Sequence, residues 1–234
     1  MSSSRQGGPR DIPCYPHEVL ATVLSVRGDA LSVLLWRRKL PPYRGRWALP
    51  GGDVRADERL REAISRHLAA KVDVREVAHL EQLATHSAVR RDPRGRVLAT
   101  AYLALVRSDA RPRLPDDTAW HPVDSLPATA FDHHYFVEAA VERLRGKLSY
   151  TNIGFALAPA VFTISRLREI YGAALGYRPS ATNLTRVLSR RAMIEPTGDV
   201  VASGQSGGRP AAVFRFRDDT LTVTDPFAVL KPPG

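Results

Sequence analysis

Cysteine is all but missing. Cys14 stands alone among 234 residues, which excludes an internal disulfide and a cysteine metal cluster. No run of about 18 apolar residues occurs, so no segment is long enough to cross a membrane as a helix. Met1-Ser2-Ser3-Ser4-Arg5-Gln6-Gly7-Gly8 has no apolar centre and does not read as a secretory signal. A cytoplasmic compartment is the expectation. Internal repeats are absent, and so is lysine for the most part: four of the 34 Lys+Arg are lysines and thirty are arginines. Against 24 Asp+Glu they leave a net charge of +10. That balance points to polyanions such as nucleic acid, phosphorylated small molecules or acidic membrane surfaces, although GC-rich coding also enriches arginine. Arginine suits phosphate because its planar fork donates two parallel hydrogen bonds. The 44% hydrophobic and 25% charged residues are those of an ordinary globular chain, not a disordered or collagen-like one. The length fits one large or two modest domains.

Two rhythms divide the chain. Residues 1–16 are Ser/Gly/Pro-rich and read as a flexible arm. Val19 to Val26 and Leu31 to Trp36 are β-rich runs around the hairpin signal Arg27-Gly28-Asp29-Ala30. Pro41-Pro42-Tyr43-Arg44-Gly45 reads as a loop. Leu60, Ile64 and Leu68 recur at spacing four and predict a helix over 57–71. Val97 to Val106 predicts a strand. Asp132 is the expected cap of a helix whose apolar face is Phe136, Val137, Ala140, Val141 and Leu144. This is a mixed α+β domain over 17–150.

The stretch 151–234 reads differently. Leu167, Ile170, Tyr171, Ala174 and Leu175 form a helical stripe ended by Gly176. Ser180 or Thr182 can cap a second helix that turns Leu184, Val187 and Leu188 inward. A glycine-rich tip, Gly204-Gln205-Ser206-Gly207-Gly208, precedes the alternating strand Ala211-Ala212-Val213-Phe214-Arg215-Phe216. Helix, turn, helix, hairpin is the order of a winged helix-turn-helix. Nine arginines and three acids lie between Val161 and Arg217. Arg178, Arg186, Arg190 and Arg191 cluster on and around the second helix, where phosphates are met. A helical accessory domain with solvated arginines is the blander alternative.

The most informative string is Leu49-Pro50-Gly51-Gly52 followed by Glu58 and Arg66. It resembles the Nudix box, G-x5-E-x7-R-E-U-x-E-E-x-G-U, whose loop and helix hold a divalent metal beside a diphosphate. Such a metal wants several carboxylate oxygens. Here the second half reads Arg66-His67-Leu68-Ala69-Ala70-Lys71. The family glutamates at positions 67, 70 and 71 are replaced, and Asp73 stands where the family has glycine. At about 4 Å and an effective dielectric near 20, reversing one charge turns roughly −4 into +4 kcal/mol. Glu58 and Glu62 do not replace the set. The resemblance therefore implies the fold and the ligand pocket without the hydrolysis, no catalytic residue and no metal site.

With the winged helix behind it, the chain resembles the Nudix-related transcriptional regulators of NAD metabolism. Further likeness lies in Gly45-Arg46-Trp47-Ala48-Leu49-Pro50-Gly51-Gly52, Glu81-Gln82-Leu83, Arg91-Asp92-Pro93-Arg94-Gly95-Arg96-Val97, Ala130-Phe131-Asp132-His133, Phe162-Thr163, Asn183 and Arg209-Pro210-Ala211. The chain departs from the family at Thr85-His86 and Leu184-Thr185. The resemblance implies a repressor that binds a palindromic operator as a homodimer. Its Nudix half senses ADP-ribose or a related NAD-derived nucleotide, which weakens DNA binding. An active hydrolase with an appended DNA-binding domain is the alternative.

Candidate ligand contacts are Arg37, Arg46, Trp47, Gly51, Gly52, Glu58, Arg91 and Arg94. Arg37, Arg46, Arg91 and Arg94 are placed for a diphosphate, although a reverse turn explains the 91–96 loop equally well. Trp47 serves adenine stacking or the core, and His133 the helix start or a dimer seam. Candidate DNA contacts are Arg178, Ser180, Thr182, Asn183, Arg186, Arg190 and Arg209. Asn183 and Arg186 suit base edges, while Arg178, Arg190 and Arg209 suit phosphates. Asn183 as a mere cap or packing residue is the blander alternative.

Overall fold

The computed structural model describes residues 13–201 and 210–225. Of the expected arm, residues 1–12 lie outside the described residues, as do the glycine tip at 204–208 and Arg209.

The central strand β1 (His17–Arg27) pairs parallel with β6 (Leu98–Leu105) along its length, from His17 opposite Leu98 to Leu24 opposite Leu105. Its other edge is shared. The C-terminal half of β1 forms a hairpin with β2 (Ala30–Arg37), and the N-terminal half pairs with the short β4 (Gly51–Asp53). The two-residue β3 (Trp47–Ala48) and β7 (Thr118–Pro122) both join β2, and β5 (His79–His86) closes the far edge on β6. Every residue from Val19 to Val26 is buried, because both faces of β1 are covered. Val19, Ala21 and Val23 face helix α1 (Leu60–Val72) through Ala63, Ile64, Leu68 and Val72. Leu20, Leu24 and Val26 face helix α2 (His133–Tyr150) through Phe136, Val137, Ala140 and Leu144. The β period of two thus sorts the run into two cores.

The backbone N–H of Arg59 donates to Glu62 at 2.9 Å, which fixes the first turn of α1. The helix ends at Asp73, whose φ of 50° and ψ of 33° are left-handed. This is where the box has glycine; aspartate is among the few side chains that adopt this cap conformation. The helix expected to begin at 57 starts at Leu60. Asp132 precedes α2 as expected, but its side chain makes no cap bond. It is drawn instead to His86 and Arg91, across 46 and 41 residues.

Helix α3 (Ile164–Leu175) follows the short strand β8 (Phe162–Thr163), with Thr163 accepting from Arg166 N and Gly176 left-handed at its end. Helix α4 (Ala181–Arg190) starts at Ser180, whose Oγ accepts from Asn183 N, so Ser180 and not Thr182 is the cap. Strands β9 (Ile194–Val201) and β10 (Ala211–Phe216) pair antiparallel, and β10 also pairs with β8. The two rhythms of the sequence do not give two separate cores. The face of the sheet under α2 runs without a break through Leu148, Ile153 and Leu157 to Leu167, Ile170, Leu184 and Leu188. The described residues contain no helix long and apolar enough to cross a membrane.

Candidate functional site

The glycine loop sits where β4 meets the start of β1. Leu20 lies opposite Gly51 and Val19 opposite Gly52. A β-carbon at Gly51 would fall 2.1 Å from the Val19 carbonyl oxygen, so the two backbones approach as only glycine permits. Three side chains of α1 hold the loop from below. His67 donates from Nε2 to the Asp53 carbonyl at 3.0 Å, and Arg66 donates to the same oxygen at 3.1 Å. The Lys71 ammonium donates to the Gly51 carbonyl at 2.5 Å and lies 4.7 Å from the centre of the Trp36 ring. Burial lowers the pKa of Lys71 and of His67. Arg66 also grips Glu58 through Nε at 2.9 Å and through a second, shorter bond from Nη2. These bonds, with one from Arg55 N, hold the Glu58 carboxyl down at about 2. Positions 67 and 71 of α1 thus carry donors bound to the loop's own carbonyls.

Next to His133, whose ring lies 5.4 Å from that of Phe131, runs a chain of arginines and rings. Arg46 lies 6.0 Å from the Tyr43 ring, and Tyr43 meets Phe131 edge-on at 4.9 Å. Arg38 and Arg94 lie 4.8 and 5.7 Å from the Phe131 ring. Burial and the nearby Arg94 charge both lower the pKa of Arg38. Arg94 is half-exposed and held at Asp92, with Nη2 2.6 Å from Oδ2. Arg37 lies 4.9 Å from the Trp47 ring, whose other neighbour is His121 at 4.3 Å. The structure therefore brings Arg46 and Arg94 to one aromatic cluster and sets Arg37 and Trp47 beside it. Arg38, Tyr43 and Phe131 belong to this cluster and were missed from sequence. The signal available was Arg38 beside the chosen Arg37; Tyr43 and Phe131 gather through backbone at φ 64° and 53°, which no local pattern announces.

Arg91 stands apart from the other chosen arginines. Its side chain is 1% exposed and its guanidinium lies between two carboxylates. Nη1 is 2.5 Å from Glu18 Oε1, while Nε and Nη2 meet Asp132 at 3.1 and 2.8 Å. Burial raises the Glu18 pKa more than Arg91 lowers it. At Asp132 burial also pushes upward, but the bonds and charge of Arg91 prevail and the net shift is downward. His86 donates from Nδ1 to the Asp132 carboxylate at 3.0 Å and stacks on Tyr135. Beside Asp132, the buried His133 accepts the Leu49 N–H at Nδ1, 2.9 Å away. Burial pushes its pKa down to about 3. The helix start and the Leu49-Pro50-Gly51-Gly52 turn are thereby tied together by a neutral imidazole.

On the second domain, the cap Ser180 is exposed, and Thr182, Asn183, Arg186 and Arg190 are exposed on α4, opposite the buried Leu184 and Leu188. Val187 is half-buried, as inward packing requires. Arg186 donates to Asn183 Oδ1 at 2.7 Å, an i,i+3 pair on one helix face. Arg178 is exposed in the turn before α4. Arg191 leaves the expected cluster: it is bound to the Ser149 carbonyl at 2.7 Å and to Asp225 at 2.5 Å.

Comparison with known proteins covers both halves. The NUDIX domain family matches residues 16–140, and the NrtR DNA-binding winged helix domain matches residues 154–216. The chain is 34% identical over 215 residues to the ADPR responsive transcriptional repressor NtrR of Acinetobacter baylyi, covering 86% of this chain and 83% of that one. It is similar to the crystal structure of Shewanella oneidensis NrtR complexed with a 27mer DNA, at 30% identity and a TM-score of 0.72 over 86% of this chain and 93% of that one. The NUDIX domain of that NrtR, complexed with ADP ribose, matches at 33% identity and a TM-score of 0.51, covering 59% of this chain and 94% of the domain. A Nudix domain joined through one continuous core to an NrtR winged helix makes this chain a member of the NrtR family of Nudix-related transcriptional regulators.

Proposed function

We propose that the chain is a cytoplasmic transcriptional repressor of NAD biosynthesis or salvage genes. As a homodimer it binds a palindromic operator and releases it on sensing ADP-ribose or a related nucleotide. The observation that carries this reading is Lys71 on the Gly51 carbonyl. A box helix that points an ammonium and an imidazole into its own glycine loop keeps the loop's shape for a diphosphate. The same residues do not fit a divalent cation, which needs converging oxygen ligands. Among the described residues no three His, Cys, Asp or Glu side chains are placed to hold a metal ion. The diphosphate is held by Arg46, Arg94 and the Gly51–Gly52 loop, with Arg38 added; Tyr43, Phe131 and Trp47 supply ring faces for the base, and Arg37 flanks Trp47. Glu58 shapes the loop through Arg66, and Arg91 positions the site through Glu18 and Asp132. Helix α2 links the halves. Its first residues bind the loop and its last turns enter the winged-helix core. At about 1.5 Å per residue its 18 residues span roughly 27 Å.

Three expected results test this reading. ADP-ribose incubated with the chain and Mg²⁺ gives no product at ordinary enzyme rates of about 1–10³ s⁻¹; release of AMP at such rates favours the hydrolase reading instead. On the DNA side, Thr182, Asn183 and Arg186 reach base edges, while Arg178, Ser180, Arg190 and Arg209 hold phosphates. Asn183→Ala then costs about 1–3 kcal/mol and relaxes preference at one operator position. Arg190→Ala weakens every sequence alike and lowers the salt slope by about one. A folded Asn183→Ala protein that discriminates operator from scrambled DNA like the parent removes α4 from the reading surface.

A further inference from the structure

A cavity of about 510 Å³ opens at the far end of β1 from the glycine loop. At about 3.3 Å per residue along β1 the two are roughly 25 Å apart. Both domains wall the cavity. Arg27 at the end of β1, Ser108 and Arg111 after β6, and Trp120 on β7 come from the Nudix side, and Arg166 from the first turn of α3. Three guanidinium groups line it, and no carboxylate does among the described residues. The nearby Asp109 is taken by Arg107, at 3.1 and 2.8 Å. Arg166 has its own partner in Glu169, at 2.9 Å.

The donors here exceed the acceptors. Arg27 lies 4.4 Å from the Trp120 ring and donates through Nη1 to the Ala110 carbonyl at 2.7 Å. Its Nε and Nη2 are enclosed and have no acceptor. Arg27 Nη1 also lies 3.5 Å from the Ser108 carbonyl, and Arg111 donates to both carbonyls, to Ser108 O at 2.9 Å and Ala110 O at 3.1 Å. Ser108 is 6% exposed, and its Oγ has no partner either. Two adjacent cations competing for two carbonyls, above a buried hydroxyl, form a site short of negative charge. Enclosed donors without acceptors carry a desolvation penalty that an anion relieves.

We propose that this interdomain cavity binds a phosphate-class anion, held by Arg27, Arg111 and Ser108 and touched from the winged helix by Arg166. A tetrahedral oxyanion accepts short bonds from guanidinium forks. Arg111 is exposed and gives the anion its approach from solvent toward Arg27. The volume lies in the range that holds a small phosphorylated molecule, and Trp120 and Leu114 give it an apolar wall. Because Ser108 N also bonds the Leu157 carbonyl at 2.8 Å, the bound anion sits on the junction between the halves.

The test is calorimetry of the full chain with inorganic phosphate at constant ionic strength. Saturable binding is expected, weakened about ten-fold or more by Arg111→Gln, as for loss of a charged hydrogen bond. Arg143→Gln, on the exposed side of α2 and outside both anion sites, leaves it unchanged. Arg166→Gln, which touches fewer structural bonds, weakens it as well and serves if Arg111→Gln fails to fold. Phosphate binding that persists with duplex DNA bound supports a free anion. The proposal is overturned by absence of saturable binding, or by binding that Arg94→Gln removes and Arg111→Gln leaves. It is equally overturned if duplex DNA abolishes phosphate binding and Arg111→Gln lowers the DNA salt slope by about one, which assigns these donors to the DNA backbone.

Discussion

Replacing Arg91 with alanine is expected to destabilise the protein by about 3–5 kcal/mol, the usual cost of removing one partner from a buried ion pair. The expectation rests on where the guanidinium lies, with its side chain 1% exposed and its bonds divided between Glu18 and Asp132. Neither carboxylate has another arginine or lysine to turn to among the ion pairs of the described residues. The loss should appear as a lower urea midpoint with an unchanged slope. Arg91→Met, which keeps the bulk and removes the charge, is expected to be nearly as damaging. Adding Glu18→Gln and Asp132→Asn to Arg91→Met should recover part of the loss, because the stranded charges are then gone. A loss below about 1 kcal/mol for Arg91→Ala would fit a solvated surface pair and would contradict the buried clamp.

Acid should release His133 from Leu49. The folded pKa of His133 is pushed down to about 3 from an ordinary 6.5. Below pH 6.5 the unfolded chain therefore binds a proton that the folded chain refuses. Stability from this group is complete above pH 6.5 and falls as pH drops, by about 1.4 kcal/mol per unit. Between pH 6.5 and 5 the loss is about 2 kcal/mol, and it reaches roughly 4–5 kcal/mol by pH 3 if the chain stays folded. His67 and His121 are also lowered by burial and add to the same window. Asp132, lowered as a carboxylate, adds its loss only below about pH 4. His133→Gln should be less stable than the parent at pH 8, with the difference shrinking toward pH 5 in denaturant titrations. An unchanged pH slope in that variant would mean that His133 is not held neutral by its burial.

How far the residues announced these features depended on range. The β1–β2 hairpin, α1 and the stripes of α2 and α3 are local periodicities, and each appears within a few residues of where spacing puts it. Strand β5 has Leu83 as its one buried residue, so it carries almost no hydrophobic signal. Strand β7 has five residues and a proline, and gave none. The domain division read from rhythm does not show that α2 joins the sheet and the winged helix in one core, since a bond such as that from Arg145 Nε to the Ala174 carbonyl is a tertiary fact. The glycine loop, Glu58 and Arg66 are legible because a fixed spacing marks them. The bond from Lys71 to Gly51 spans 20 residues and that from Arg91 to Glu18 spans 73, and no window along the chain joins such pairs. Arg91 consequently looked like a loop arginine free for ligand. The Asn183–Arg186 pair was open to reading, since helical spacing places i and i+3 together.

Fluorescence anisotropy of a labelled palindromic duplex, taken from DNA upstream of NAD-synthesis genes, tests the central claim most directly. It should be titrated with the full chain at fixed salt, with and without ADP-ribose. The account predicts specific binding by a dimer and a fall in affinity of about 5–150-fold with ADP-ribose, the usual range of coupling between two sites. Arg94→Ala should bind the duplex normally and lose the response. Equal operator affinity with and without ADP-ribose, at concentrations where calorimetry shows the nucleotide bound, would contradict it.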